Sequence, residues 1–234
     1  MHINSLILNI VILILFNNNL LAQEESFSIN ELIGKTAPKN SNNTYKLRGE
    51  VYECFSKMKK AALEDSIKLK VVSAYRSYDH QQRIWNRKFK RFKSYGMSDS
   101  LAVNKILEYS TIPGTSRHHW GTDLDIVMET NQKVSKLLIT SNFDNNGPFY
   151  KLKKWMDANA EKFGFKLIYT NDPNRKGFKY EPWHYTFHAT ANKMLDSYIE
   201  QKCITKIDLH KNLGSPTISK KKLNEYLNKN IITR

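Results

Sequence analysis

Residues 113 to 126 read Pro-Gly-Thr-Ser-Arg-His-His-Trp-Gly-Thr-Asp-Leu-Asp-Ile, and residues 181 to 185 read Glu-Pro-Trp-His-Tyr. Together they offer two imidazoles and a carboxylate, His118, Asp125 and His184, a donor set that suits Zn²⁺. Three protein ligands leave a fourth position for water, whereas a closed structural site needs a fourth side chain. Neither of the two cysteines, Cys54 and Cys203, lies near these segments. Glu181 is then a carboxylate beside the metal and a candidate general base. The chemistry this set could perform is hydrolysis by a metal-activated water.

The elements that must position these groups are readable nearby. Asp123 to Val127 has one apolar and one polar face and predicts a short strand. Residues 123 and 125 then point to the same side. His118 precedes the strand on a glycine-containing loop, from which it can fold back towards Asp125. Trp183 to Phe187 is aromatic and β-branched and predicts a second strand. His184 faces one side of it, Trp183 and Tyr185 the other. Pro182 keeps its own residue extended, which sets Glu181 beside the metal without making it a ligand.

These residues carry a family resemblance. Ser116, His118, Gly121 and Asp125 match the Ser-x-His-x-x-Gly-x-Ala-x-Asp motif of the VanY-type D-alanyl-D-alanine carboxypeptidases, whose fold is shared with lysostaphin-type enzymes and hedgehog domains. Glu181-Pro-Trp-His184 resembles the family's second motif. Ser73-Ala-Tyr-Arg-Ser-Tyr-Asp-His-Gln81 is similar to its upstream Ser-Gly-Tyr-Arg-Ser-x-x-x-Gln. The resemblance implies that Arg76 stabilises the oxyanion, a task suited to a planar, always charged donor fork. It also implies that Ser116 and Gln81 help hold the substrate; Ser77, Asp123 and Trp183 complete the expected substrate-contacting set. Asp123 is a departure, because the family usually has Ala there. An extra carboxylate could fix the tautomer of a ligand imidazole or meet a cationic substrate group.

The implied activity is hydrolysis of peptidoglycan stem peptides with Zn²⁺ as cofactor, foremost removal of a C-terminal D-alanine. An endopeptidase or dipeptidase with the same catalytic residues is the alternative, as is a zinc-bearing binding module that has lost catalysis. The expected fold is α+β: a small, mostly antiparallel sheet carrying the zinc site, flanked by helices.

The rest of the chain sets the frame. Residues 5 to 16 form an apolar run short for a membrane span, and Ala22 follows as a cleavage point, so residues 1–22 read as a signal peptide, with an uncleaved anchor as the alternative. This predicts export to the periplasm or cell envelope. Residues 23–44 are polar and predict a flexible leader. The peptidase domain is expected over 45–205 and a basic C-terminal extension over 206–234. A net charge of +15 attracts polyanions; in an exported protein these are anionic envelope polymers rather than nucleic acid. In that compartment Cys54 and Cys203 could pair. A monomer is expected.

Along the chain, apolar spacing predicts helices over 45–65, 78–95, 149–163, 189–202 and 219–231. Another is capped by Ser98 or Asp99 and runs to about Tyr109. The basic run Arg87-Lys-Phe-Lys-Arg-Phe-Lys reads as a solvated helix face. Residues 69–74 read as a strand delivering Arg76. His80, His119 and His188 read as bystanders.

Overall fold

The computed structural model describes residues 26–231. The expected signal peptide lies outside them. Four strands, β1 (Leu69–Ser73), β2 (Asp123–Met128), β3 (Phe165–Leu167) and β4 (His184–Phe187), form one sheet in the order β1-β2-β4-β3. Each neighbouring pair is antiparallel. Around the sheet lie α1 (Ile29–Leu32), α2 (Gly49–Glu64), α3 (Tyr78–Ser94), α4 (Asp99–Leu107), α5 (Tyr150–Asn159), α6 (His188–Glu200) and α7 (Lys220–Asn230). The α+β expectation holds.

Local chemistry sets the helix ends. The hydroxyls of Ser77, Ser98 and Ser219 accept from the backbone N–H of His80, Leu101 and Lys222, capping α3, α4 and α7. Each such cap contributes about 1 kcal/mol. Gly96, at φ +79°, lets the chain leave α3 through the left-handed region.

Strand alternation divides the sheet into an apolar and a chemical face. Leu124 and Ile126 of β2 and Tyr185 of β4 enter a core with Val51, Phe55 and Met58 of α2 and Leu152 of α5. Asp123, Asp125 and His184 therefore point the other way. Register aligns them: Asp125 is opposite His184, and Asp123 is opposite Thr186. In β1 the register shifts between Val71 and Ser73. This irregularity re-aims Ser73, which pairs with Asp125 and lies on the chemical side of the sheet.

A second core, of Trp85, Ile106, Trp120, Leu195 and Tyr198, packs behind the loop that carries His118. Both segments flanking the expected domain join it. Residues 26–44, expected as a flexible leader, are packed rather than loose. Phe27, Leu32 and Ile33 are buried. The Trp120 indole donates to the Leu32 carbonyl at 3.0 Å, and the Arg48 amide to the Gly121 carbonyl at 3.1 Å. Polar composition hid this, because the anchors are three apolar side chains, backbone groups and a buried ion pair. That pair is Glu31 with Arg48, both side chains about 3% exposed. The C-terminal extension is built in as well, through buried Tyr226 and Ile231.

The possible disulfide is not formed. Cys54 and Cys203 are free thiols, and they pack in different cores.

Replacing Arg48 by Met strips the buried Glu31 carboxylate of its cation. Urea unfolding should show a stability loss of about 3–5 kcal/mol, the cost of breaking one side of a buried pair. Replacing Glu31 by Gln in the same protein should recover part of it.

Candidate metal centre

His118, Asp125 and His184 come together on the chemical face, one donor atom from each lying within 4.8 Å of the others. His118 sits in a 3₁₀ turn, Arg117–Trp120, that leads into β2. The turn closes at Gly121, whose φ of +70° disfavours any side chain, and a Cβ there would stand 2.7 Å from Pro38. The His118 Nδ1–H donates to the Ala74 carbonyl at 2.7 Å, leaving Nε2 as the free lone pair. That Nε2 is 3.5 Å from Asp125 Oδ1. The Nε2–H of His184 donates to Asp123 Oδ2 at 2.8 Å, so its Nδ1 faces Asp125 Oδ1 at 3.3 Å.

Two of these convergent atoms, His118 Nε2 and Asp125 Oδ1, are buried without a hydrogen-bond partner. Leaving buried polar atoms unsatisfied costs about 1–3 kcal/mol each. A tetrahedral Zn²⁺ with 2.0–2.1 Å bonds holds its ligand atoms about 3.3 Å apart, close to the 3.5 and 3.3 Å that separate the two imidazoles from Asp125 Oδ1. The donor set therefore fits a zinc ion. The Glu181 carboxylate is 3.4 Å from His184 Nδ1, beside the three and not among them.

The surrounding charges prepare the donors. Burial and the Arg76 guanidinium lower the pKa of His118, keeping it neutral. Burial opposes charge on Asp125, but His118, His184 and Arg76 hold its carboxyl well below the usual range. Burial also opposes charge on His184, yet its hydrogen bonds to Asp123, Asp125 and Glu181 raise its pKa well above the usual value. Without a metal, the excess of carboxylates thus draws a proton to His184, and a divalent cation would take that place.

A cleft of about 740 Å³ opens onto these groups. Arg76, Ser116, Glu181 and Trp183 reach its wall together with the three ligand candidates. Arg76 is engaged: Nη2 donates to Asp125 Oδ2 at 2.7 Å and Nε to Ser73 Oγ at 2.8 Å. Trp183 also packs on Phe143.

Three members of the expected substrate-contacting set are placed elsewhere. Asp123 is wholly buried and accepts from His184, Arg117, Thr122 and Thr186. It fixes the His184 tautomer and is out of reach of a substrate. Ser77 is the cap of α3. Gln81 is buried behind the cleft wall, where Nε2 donates to the Thr111 carbonyl at 3.0 Å. Ser77 at the cap and Gln81 at the end of the first turn of α3 are both turned away from the opening.

Several contributors had no sequence signal. Arg117 is buried, stacks over the Trp120 ring at 4.9 Å, and joins Asp123 at 3.2 Å to Thr186 at 3.1 Å. His119 is structural: Nδ1 donates to the Arg76 carbonyl at 2.6 Å, and Nε2 accepts from the Gly114 amide at 3.1 Å. Burial pushes its pKa down to about 3, so this acceptor role persists at neutral pH. The Tyr226 hydroxyl, from α7, meets the Ile112 amide at 3.2 Å and Thr115 Oγ1 at 2.7 Å, just ahead of Ser116. Lys88, expected on a solvated face, also lines the cleft.

Fold and site define an α+β scaffold with an open His–Asp–His centre and an adjacent glutamate. Comparison with known proteins agrees. The family model of VanY, the D-alanyl-D-alanine carboxypeptidase, matches residues 44–190. A D-alanyl-D-alanine carboxypeptidase of Enterococcus faecalis is 30% identical over 128 residues, covering 54% of this chain and 42% of that protein. The putative carboxypeptidase YodJ of Bacillus subtilis is 30% identical over 139 residues, 59% of this chain and 45% of its own. The chain thus spans under half the length of these two relatives. Among solved structures, a vancomycin-resistance D,D-pentapeptidase VanY in complex with Zn(II) superposes with a TM-score of 0.51 at 22% identity, covering 68% of this chain and 83% of that one. The LD-carboxypeptidase LdcB gives 0.50 at 23%, covering 74% and 78%. At such identities these two likenesses speak for the fold alone. The chain belongs to the VanY family of D-alanyl-D-alanine carboxypeptidases.

Replacing Asp123 by Asn removes the anion that orients His184. Zinc affinity, measured by chelator competition, should fall about 10- to 100-fold, while His118→Ala should abolish retention.

Proposed function

We propose that this protein is an exported, zinc-dependent carboxypeptidase that removes the terminal D-alanine from peptidoglycan stem peptides. The observation that carries the reading is the placement of the Glu181 carboxylate 3.4 Å from His184 Nδ1, the nitrogen turned towards Asp125. His118, Asp125 and His184 would hold the ion. When bound, zinc lowers the pKa of water to about 7 and polarises a carbonyl oxygen.

The chain's own residues do the remainder. Glu181 accepts the proton of the attacking water and returns it to the departing amine. It lines the cleft and is about 11% exposed, so substrate can reach it. Arg76 sits on the cleft wall with Nε and Nη2 held by Ser73 and Asp125, which fixes the guanidinium before substrate arrives. A cation fixed in advance stabilises charge that develops on the carbonyl oxygen without reorganising. Ser116 lies alongside as a further donor to the peptide. The apolar run at residues 5 to 16 supports export, and the +15 charge supports residence among anionic envelope polymers.

Zinc-loaded protein incubated with a pentapeptide ending in D-Ala-D-Ala should release one alanine by mass spectrometry. A chelator should stop the release and added Zn²⁺ restore it. Glu181→Gln should keep its zinc and lose about 10²- to 10⁴-fold in rate. Full activity in that variant would sink the mechanism.

A further inference from the structure

Removing a terminal residue requires recognition of the carboxylate that follows the scissile bond. The basic groups around the cleft differ in availability. Arg76 pairs with Asp125 and is assigned above to the reacting carbonyl, and Arg117 pairs with Asp123. His80 and Arg87 are exposed on the rim. Lys88 differs from all four. It lies on the stripe His80, Ile84, Arg87, Lys88, which α3 turns towards the cleft with helical spacing. It is partly withdrawn from solvent. Among the described residues its one hydrogen bond is to a neutral group, Ser110 Oγ, at 2.5 Å. Ser110 is itself buried and lines the same cleft.

An ammonium largely removed from water with a single neutral partner lacks a counterion. Glu181 exerts a favourable field on it from across the cleft but makes no ion pair with it. Burial, reinforced by Arg76, Arg91 and Arg87, brings the Lys88 pKa down to about 8, in keeping with a cation short of an anion. The protein gives up solvation of this group without recovering it internally. A carboxylate entering the cleft would restore it through a charge-assisted hydrogen bond.

We propose that Lys88, held in place by Ser110, is the specificity-determining residue that receives the C-terminal carboxylate of the peptide substrate. This rests on the peptidase reading above and adds how the site distinguishes a chain end from an internal peptide bond. Arg76 is left to the reacting carbonyl, so the two cations serve different oxygens.

The test separates carboxylate recognition from catalysis. Zinc-loaded Glu181→Gln protein is titrated calorimetrically with a stem pentapeptide ending in D-Ala-D-Ala and with its C-terminal carboxamide. Adding Lys88→Met should weaken binding of the free acid about 10- to 100-fold and leave the carboxamide within about twofold. Lys88→Arg should restore part of the acid affinity. Ser110→Ala, a milder change, should weaken the acid selectively and by a smaller factor, so the question stays answerable if Lys88→Met does not fold. Zinc content and thermal midpoint serve as fold controls. Unchanged acid binding, or equal loss for acid and carboxamide, would overturn the proposal. If the parent holds zinc yet binds neither peptide, the peptidase reading fails instead.

Discussion

Everything at the site turns on negative charge held out of water. Asp123 and Asp125 are buried on adjacent positions of one strand face, with Glu181 close by. Two guanidiniums answer them, Arg117 at Asp123 and Arg76 at Asp125. That leaves one carboxylate beyond the fixed cations, and two imidazoles aimed at the gap. Burying an unmatched charge is far more costly than burying a matched one. The fold thus has a place for a cation built into its electrostatics. The same arithmetic explains why each imidazole is tied by its other nitrogen, His118 to a carbonyl and His184 to a carboxylate. Without those ties the rings could rotate to quench the charge themselves, and the donor set would collapse.

Holding that geometry is a problem of backbone placement, solved from both sides. From the sheet, alternation puts Asp123, Asp125 and His184 on one face, and the register shift in β1 adds Ser73, which holds Arg76. From the loop, the turn around Gly121 sets His118 above the strands. The loop has no regular ladder of its own. Its hydrogen bonds go to its own His119 and to groups brought from far along the chain: the Leu32 carbonyl, the Arg48 amide and the Tyr226 hydroxyl.

How much of this was legible depends on the range of the interaction. The two metal strands and the helices follow from periodicity, and the Ser98 cap from local hydrogen bonding, so their positions agreed to within a few residues. The ligand candidates were legible because histidine and aspartate at those spacings have few other reasons to occur on opposed strands. Gln81 and Ser77 were misplaced because a motif fixes residue types, whereas the direction of a side chain on the first turn of a helix depends on how the helix docks. Asp123 was readable in one of its two senses, and only the structure showed that Arg117 and Thr186 close it off. Lys88 looked like one more lysine in a basic run. Nothing local marks which turn of α3 faces the cleft.

The clasp made by the two flanking segments has a practical meaning. The stretch that the family model matches, residues 44–190, holds the chemical groups, but the packing that braces them extends past it on both sides. Excised at those limits, the loop bearing His118 would lose the Leu32 carbonyl behind Trp120 and the Tyr226 hydroxyl beneath Thr115. The duty of these flanks is discharged mostly through backbone groups, a phenol and apolar bulk. Homology therefore draws this module's border inside its mechanical one.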